Sequence, residues 1–76
     1  MDERATREYL IQNDQQFRQL FDEHQAFERK LAEYADRPFL TIEEQLEETV
    51  LKKKKLALKD KMQVLINEHR TRHPVN

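Results

Sequence analysis

The sequence contains no glycine, and its two prolines, Pro38 and Pro74, lie where a helix would have to stop. Charged residues make up 38% of the chain, and Leu, Phe and Ala dominate its apolar residues. Such a composition is typical of long helices and coiled coils. No stretch alternates apolar and polar residues between turn residues, so no strand is predicted. We therefore predict an all-α fold.

The length of the chain, 76 residues, allows one small domain. The sequence has no cysteine, so neither a disulfide nor a thiolate metal site can support so small a core. No apolar run approaches the roughly 20 residues of a membrane span. The amino-terminal segment MDERATRE is charged from its second residue, and we expect no signal peptide there. These features predict a soluble, cytoplasmic protein.

Apolar residues recur at intervals of three and four in the first half of the chain, with one histidine among them. This heptad seam consists of Phe17, Leu20, His24, Phe27, Leu31 and Tyr34. Upstream, Asn13 with Gln16 three residues later resembles a helix N-cap. We predict a helix over about residues 14–35, preceded over about residues 2–12 by a short separate helix or a kinked extension.

The second half of the chain begins after a predicted loop at residues 36–41. Pro38 cannot donate a helical hydrogen bond and disfavours helical dihedrals at Arg37. Thr41 and Glu44 then form a capping box that opens a helix over residues 41–70, followed by a frayed tail at 71–76. Its seam consists of Leu51, Lys55, Leu58, Met62, Leu65 and His69. The short loop predicts an antiparallel, coiled-coil-like helical hairpin as a single domain over residues 1–76.

The two segments of the chain carry opposite charge. Residues 1–51 contain 6 basic and 13 acidic side chains, whereas residues 52–76 contain 8 basic and 2 acidic ones. A hairpin folded at Pro38 would bring these charges together across the helices. The expected pairs are Asp22 and Glu23 with Lys54 and Lys55, and Arg29 and Lys30 with Glu47 and Glu48. Such pairs select the register, although each exposed pair adds only about 0–1 kcal/mol.

A basic segment allows a second interpretation, as a patch that binds nucleic acid. It consists of Lys52, Lys53, Lys54, Lys55 and Lys59. Four consecutive residues advance by about 100° each, so these lysines encircle the helix and do not line one side. No aromatic residue lies between them as a stacking platform, and the net charge of the chain is −1. We therefore favour lysines paired within the fold over a nucleic-acid patch.

The histidines and acidic residues predict no catalytic or metal centre. His24 lies on the seam, where a core histidine bonded to a facing carboxylate or water is favoured over a pH switch. His69 and His73 are four residues apart, but no third metal ligand accompanies them. The acidic cluster at residues 43–48 complements a helix N-terminus. With no nucleophile–base arrangement and no phosphate loop, we expect no enzyme activity and no cofactor.

Two motifs of the chain resemble a known family. The pattern FxxLFxxH at residues 17–24 and LKKKKLxLKD at residues 51–60 are similar to the YdcH family of small bacterial proteins, a domain of unknown function. The resemblance covers about residues 10–66 and implies a helical hairpin or coiled coil. The chain has Asn13-Asp14 where the family often has Asn-Pro, Lys54 where it has glutamine, and Lys61 where it usually has glutamate. The resemblance implies no activity.

The sequence thus predicts a non-enzymatic interaction module that binds a second copy or another helical protein. A dimer of two hairpins in a four-helix bundle would bury the apolar residues beside the seams. The expected flank comprises Phe21, Leu46, Val50, Leu56 and Ile66, with Phe39 and Leu40 at the hairpin tip. The core or interface candidates are Phe17, Leu20, Phe21, His24, Phe27, Leu31, Leu51, Leu58, Met62 and Leu65. The alternative is a nucleic-acid-associated protein.

Overall fold

The structure is a computed structural model, and it describes residues 2–72 of the chain. Over these residues it contains three helices and no strand: α1 (Glu3–Asn13), α2 (Gln15–Ala35) and α3 (Ile42–Arg72). The predicted all-α fold is therefore confirmed. The helices form a rod of 51 × 20 × 16 Å. None of them is both long and apolar enough to cross a membrane. The predicted tail lies outside the described residues from residue 73 onwards.

The break between α1 and α2 is a single extended residue. Asp14 has φ −122° and ψ 112°, and its Oδ1 accepts a hydrogen bond of 3.0 Å from the N–H of Phe17. The prediction of Asn13 as the N-cap is wrong, because the Asn13 amide donates backwards to the carbonyl of Tyr9 at 2.9 Å. A carboxylate is also better placed than an amide at the positive end of the helix dipole.

The loop between α2 and α3 is closed by hydrogen bonds at both ends. At the end of α2, the N–H of Asp36 donates to the carbonyl of Ala32. At the start of α3, the N–H of Glu44 donates to Thr41 Oγ1, and the N–H of Thr41 donates to Glu44 Oε1, both at 3.0 Å. This reciprocal pair confirms the predicted capping box. The helices can therefore reverse direction without glycine, and no described residue has a positive φ.

The apolar core is densest where α1 packs against both other helices. Leu10 of α1, Phe17 of α2, and Met62 and Ile66 of α3 form one buried cluster, in which Phe17 has no exposed surface. The expectation that Ile66 belongs to an exposed flank is wrong, because α1 covers this side of α3 and leaves Ile66 only 2% exposed. The module is therefore a hairpin closed at one end by a third helix.

We predict that Leu58→Asp unfolds the module. Leu58 is 7% exposed, and removing a buried leucine costs about 2–5 kcal/mol even without introducing a charge. Ala26→Asp is the control, because Ala26 is exposed on α2 and the change should alter the free energy of unfolding by only about 0.5 kcal/mol. Circular dichroism melting measures both variants. Equal melting temperatures for the two variants would contradict the burial of Leu58.

We also predict that Asp14, and not Asn13, caps α2. Asp14→Ala should lower the free energy of unfolding by about 0.5–2 kcal/mol, because the N–H of Phe17 loses its acceptor. Asn13→Ala should cost less, since the Asn13 side chain bonds only within α1. Urea unfolding of both variants gives the comparison. A larger loss for Asn13→Ala would place the cap one residue earlier.

Candidate functional site

All ten residues predicted for the core or interface lie at least partly inside the helical module. Four of them are buried, namely Phe17, Leu51, Leu58 and Met62. The remaining six are half-buried, namely Leu20, Phe21, His24, Phe27, Leu31 and Leu65. They hold the helices together, and none presents most of its side chain to a partner. A binding surface must therefore be sought elsewhere on the molecule.

A groove between the three helices contains the seam histidine. His24 is half-buried there, close to the ion pair in which Lys55 Nζ lies 3.0 Å from Glu28 Oε1. The hydrogen bond and charge of Lys55 lower the pKa of Glu28, with a smaller contribution from His24. This carboxylate therefore stabilises the fold above its unfolded pKa, and the contribution is lost as pH falls through the lower folded pKa.

Polar contacts hold the hairpin near its loop. The hydroxyl of Tyr34 donates to Glu47 Oε2 at 2.5 Å, and Lys30 Nζ lies 3.8 Å from Glu47 Oε1. The hydrogen bond to Glu47 raises the pKa of Tyr34, because it favours the protonated phenol. This contribution to stability is present below the unfolded pKa of Tyr34 and is lost as pH rises through the folded pKa. The contact of Lys30 with Glu47 is one of the charge pairs expected from the sequence.

The basic segment is paired differently from the prediction. Lys55 binds Glu28, and Lys52 Nζ lies 3.9 Å from Glu48 on its own helix. The expected pairing of Lys54 and Lys55 with Asp22 and Glu23 is wrong. Asp22 instead accepts a hydrogen bond from Arg18 within α2 at 3.3 Å. Exposed side chains gain little from a distant partner and settle on a neighbour one turn away.

Three lysines of the basic segment remain available to solvent. Lys53, Lys54 and Lys59 are exposed, and none forms an ion pair within the described part of the chain. They point in different directions around α3, because residues 53, 54 and 59 are spread over more than half of the helix circumference. They form no continuous basic stripe.

An apolar face on the far side of α3 is exposed along most of the helix. We call it the outward face, and it comprises Ile42, Leu46, Val50, Leu56, Ala57 and Val64. At about 100° per residue, this face lies roughly opposite the side that buries Leu51, Leu58 and Met62. Ile42 is 77% exposed and Leu46 is 64% exposed. Helix α3 therefore has two apolar sides, and within residues 2–72 only one of them is covered.

The described residues bring no three potential metal ligands together. No group of three His, Cys, Asp or Glu side chains in residues 2–72 is arranged to hold a metal ion. The ring of His69 lies 5.1 Å from the ring of Tyr9, with the two planes tilted by 32°. This contact packs the end of α3 against α1. His73, considered with His69 as a metal ligand, lies outside the described residues.

A family model described as a protein of unknown function (DUF465) matches residues 17–70 of the chain. The match begins at the buried Phe17 and extends across the hairpin almost to the end of α3. Neither the curated proteins nor the solved structures gave a match. The matched region contains the whole outward face and the basic segment, whereas α1 lies outside it.

The ion pair between Lys55 and Glu28 can be tested by exchanging the two charges. Lys55→Glu should destabilise the module by about 0.5–1 kcal/mol, because it faces Glu28 with a like charge. Adding Glu28→Lys should restore most of this loss, whereas adding Asp22→Lys should not. Chemical unfolding of the single and double variants measures the coupling. Rescue by Asp22→Lys but not by Glu28→Lys would contradict the contact.

Proposed function

Since this chain belongs to the YdcH-like family of small proteins of unknown function, we propose that it is a non-enzymatic helical interaction module of the bacterial cytoplasm. It acts by binding another helix, in the first place that of a second copy of itself. The binding surface is the outward face of α3. A partner protein that offers a helix with a similar apolar stripe would use the same face.

The observation that carries this proposal is the second apolar side of α3. A helix on the surface of a monomer commonly has one apolar stripe, which faces the core. Val50 and Val64 are 47% and 54% exposed, and Leu46 lies one turn before Val50 on the same side. Exposed apolar residues grouped on one side of a helix, here with Lys53 and Asp60 among them, mark interaction sites on soluble proteins. A small module also gains stability from association, because its own core is limited.

The chemistry of the groove supports a role without catalysis. Glu28 and Lys55 form an ion pair, and Lys55 lowers the pKa of the Glu28 carboxyl. His24 lies beside this pair, and the groove contains no serine, threonine or cysteine that the histidine could activate. A nucleophile next to a base is the usual requirement for covalent catalysis.

Binding of nucleic acid is the second candidate function, and the unpaired lysines favour it. Lys53, Lys54 and Lys59 are free to contact phosphates, which the sequence-based pairing did not predict. Against this, the segment lies in a chain of net charge −1, and α3 offers these lysines no aromatic neighbour. Binding to phosphates would weaken steeply with salt, whereas apolar association would not.

Sedimentation equilibrium from micromolar to near-millimolar protein tests the proposal. We expect a monomer–dimer equilibrium whose melting temperature rises with concentration. Val50→Ser with Val64→Ser should weaken the dimer about 1,000-fold, because a two-fold dimer loses four valines and each contributes about 1 kcal/mol beyond its burial in the monomer. Phe39→Ser is the matched control, because Phe39 is 88% exposed but lies in the loop before α3.

The opposing outcomes of this experiment are distinct. A folded monomer over the whole range, with a constant melting temperature, would overturn self-association. Equal weakening by the valine and phenylalanine variants would place the interface outside the outward face. Salt-sensitive binding of the monomer to duplex DNA, lost in Lys53→Ala with Lys54→Ala, would favour the second candidate.

A further inference from the structure

The midpoint of α3 coincides with the smallest side chain of the outward face. The helix extends from Ile42 to Arg72, and its central residue is Ala57. Ala57 is exposed, and the two valines of the face, Val50 and Val64, lie one heptad before and one heptad after it. Lys53 and Asp60 lie on the same side of α3, so the centre of the outward face is a small residue with one charged residue of opposite sign on either side of it and a valine beyond each.

We infer that two copies of the chain pair their α3 helices in antiparallel orientation, about a two-fold axis at Ala57. This inference rests on the proposed self-association and specifies its geometry. The two helices then overlap along their whole length, about 46 Å at 1.5 Å per residue. Val50 lies level with the partner's Val64, and the two copies of Ala57 meet at the axis, where small side chains let the helices approach closely.

The distribution of charge along α3 favours the antiparallel arrangement. The first turns contain Glu43, Glu44, Glu47 and Glu48 without a basic residue, and the last turn contains Arg70 and Arg72. Glu44, Glu47 and Glu48 contact Arg37, Lys30 and Lys52 within the monomer, so Glu43 is the glutamate at the edge of the outward face. A parallel pair would set Glu43, Lys53 and Asp60 each beside its own copy. In the antiparallel pair, Glu43 lies beside the C-terminal end of the partner's α3, which carries Arg70 and Arg72.

The charged residues nearest the two-fold axis also form one favourable contact. Asp60 and Lys53 lie on the same edge of the outward face, so Asp60 lies beside the partner's Lys53, which forms no ion pair within residues 2–72. The two-fold axis makes this contact twice. On the other edge, Lys61 lies beside the partner's Lys54 and repels it, so Lys61→Glu should strengthen the dimer.

The position of the outward face determines how four helices would be arranged. The face lies on the far side of α3 from α2, so joining two copies through it places the helices side by side in the order α2, α3, α3, α2. This differs from the four-helix bundle around a common core that the sequence suggested. Each α1 packs near the C-terminal end of its own α3. Because the two-fold axis reverses the direction of the second copy, the two α1 helices lie at opposite ends of the dimer along the length of α3.

Distances between spin labels test this geometry, and the chain offers single attachment sites because it has no native cysteine. Labels are attached to Lys53→Cys and, in a separate sample, to Asn67→Cys, both at exposed positions of α3. In the antiparallel pair, the helical rise of 1.5 Å per residue separates identical labels along the length of the helices by about 12 Å at residue 53 and about 30 Å at residue 67. A parallel pair in register gives no axial offset at either position.

A disulfide at the axis is the second measurement. Ala57→Cys should form a covalent dimer under mild oxidation, because only the residue on the axis meets its own copy at a distance that a disulfide spans. Thr49→Cys, also exposed on α3, is the control and should not form one. Sedimentation of the reduced variants shows that each still dimerises.

The outcomes separate this inference from the proposed function. A dimer with equal short label distances at both positions, or with no disulfide at Ala57→Cys and a long distance at residue 53, would overturn the antiparallel axis while leaving self-association intact. A wild-type monomer in sedimentation would overturn both. Label distances of the expected order, with a covalent Ala57→Cys dimer, would establish the arrangement.

Discussion

Every tertiary contact of α1 depends on the one extended residue that separates it from α2. Asp14 interrupts the helix, and its carboxylate accepts the hydrogen bond of the Phe17 N–H, so the interruption leaves this donor satisfied. The chain then turns back, and Leu10 covers Phe17 and Ile66. A continuous helix through this point would carry Leu10 away from α3 and leave Ile66 in water. The break therefore completes the core.

The hairpin could be predicted because its signals are local or periodic. Apolar residues at intervals of three and four determine which side of a helix is covered, and Pro38 with the Thr41 capping box determines where the chain turns. The direction of α1 could not be predicted in this way. Periodicity shows that Ile66 lies beside the seam of α3, but only the fold shows that a third helix covers that side.

The candidate surface was only partly visible in the sequence. Leu46, Val50 and Leu56 were expected on an exposed flank, and the structure leaves all three exposed. Their grouping with Val64 on one side of α3 required the side that faces α2 to be known. The partners of the lysines could not be inferred, because exposed ion pairs differ by only about 1 kcal/mol and several geometries compete. Charge balance therefore predicted the hairpin better than it predicted individual contacts.

The order of contacts along the chain has a kinetic consequence. Residues 36–41 join α2 to α3 directly, so the hairpin closes by bringing together segments that are near in sequence. Docking of α1 joins Leu10 to Ile66, near the opposite end of the chain, and gains little until the hairpin has formed. An isolated helix of 11 residues is also marginal in water. We therefore expect the hairpin to form first, and α1 to dock last and open first.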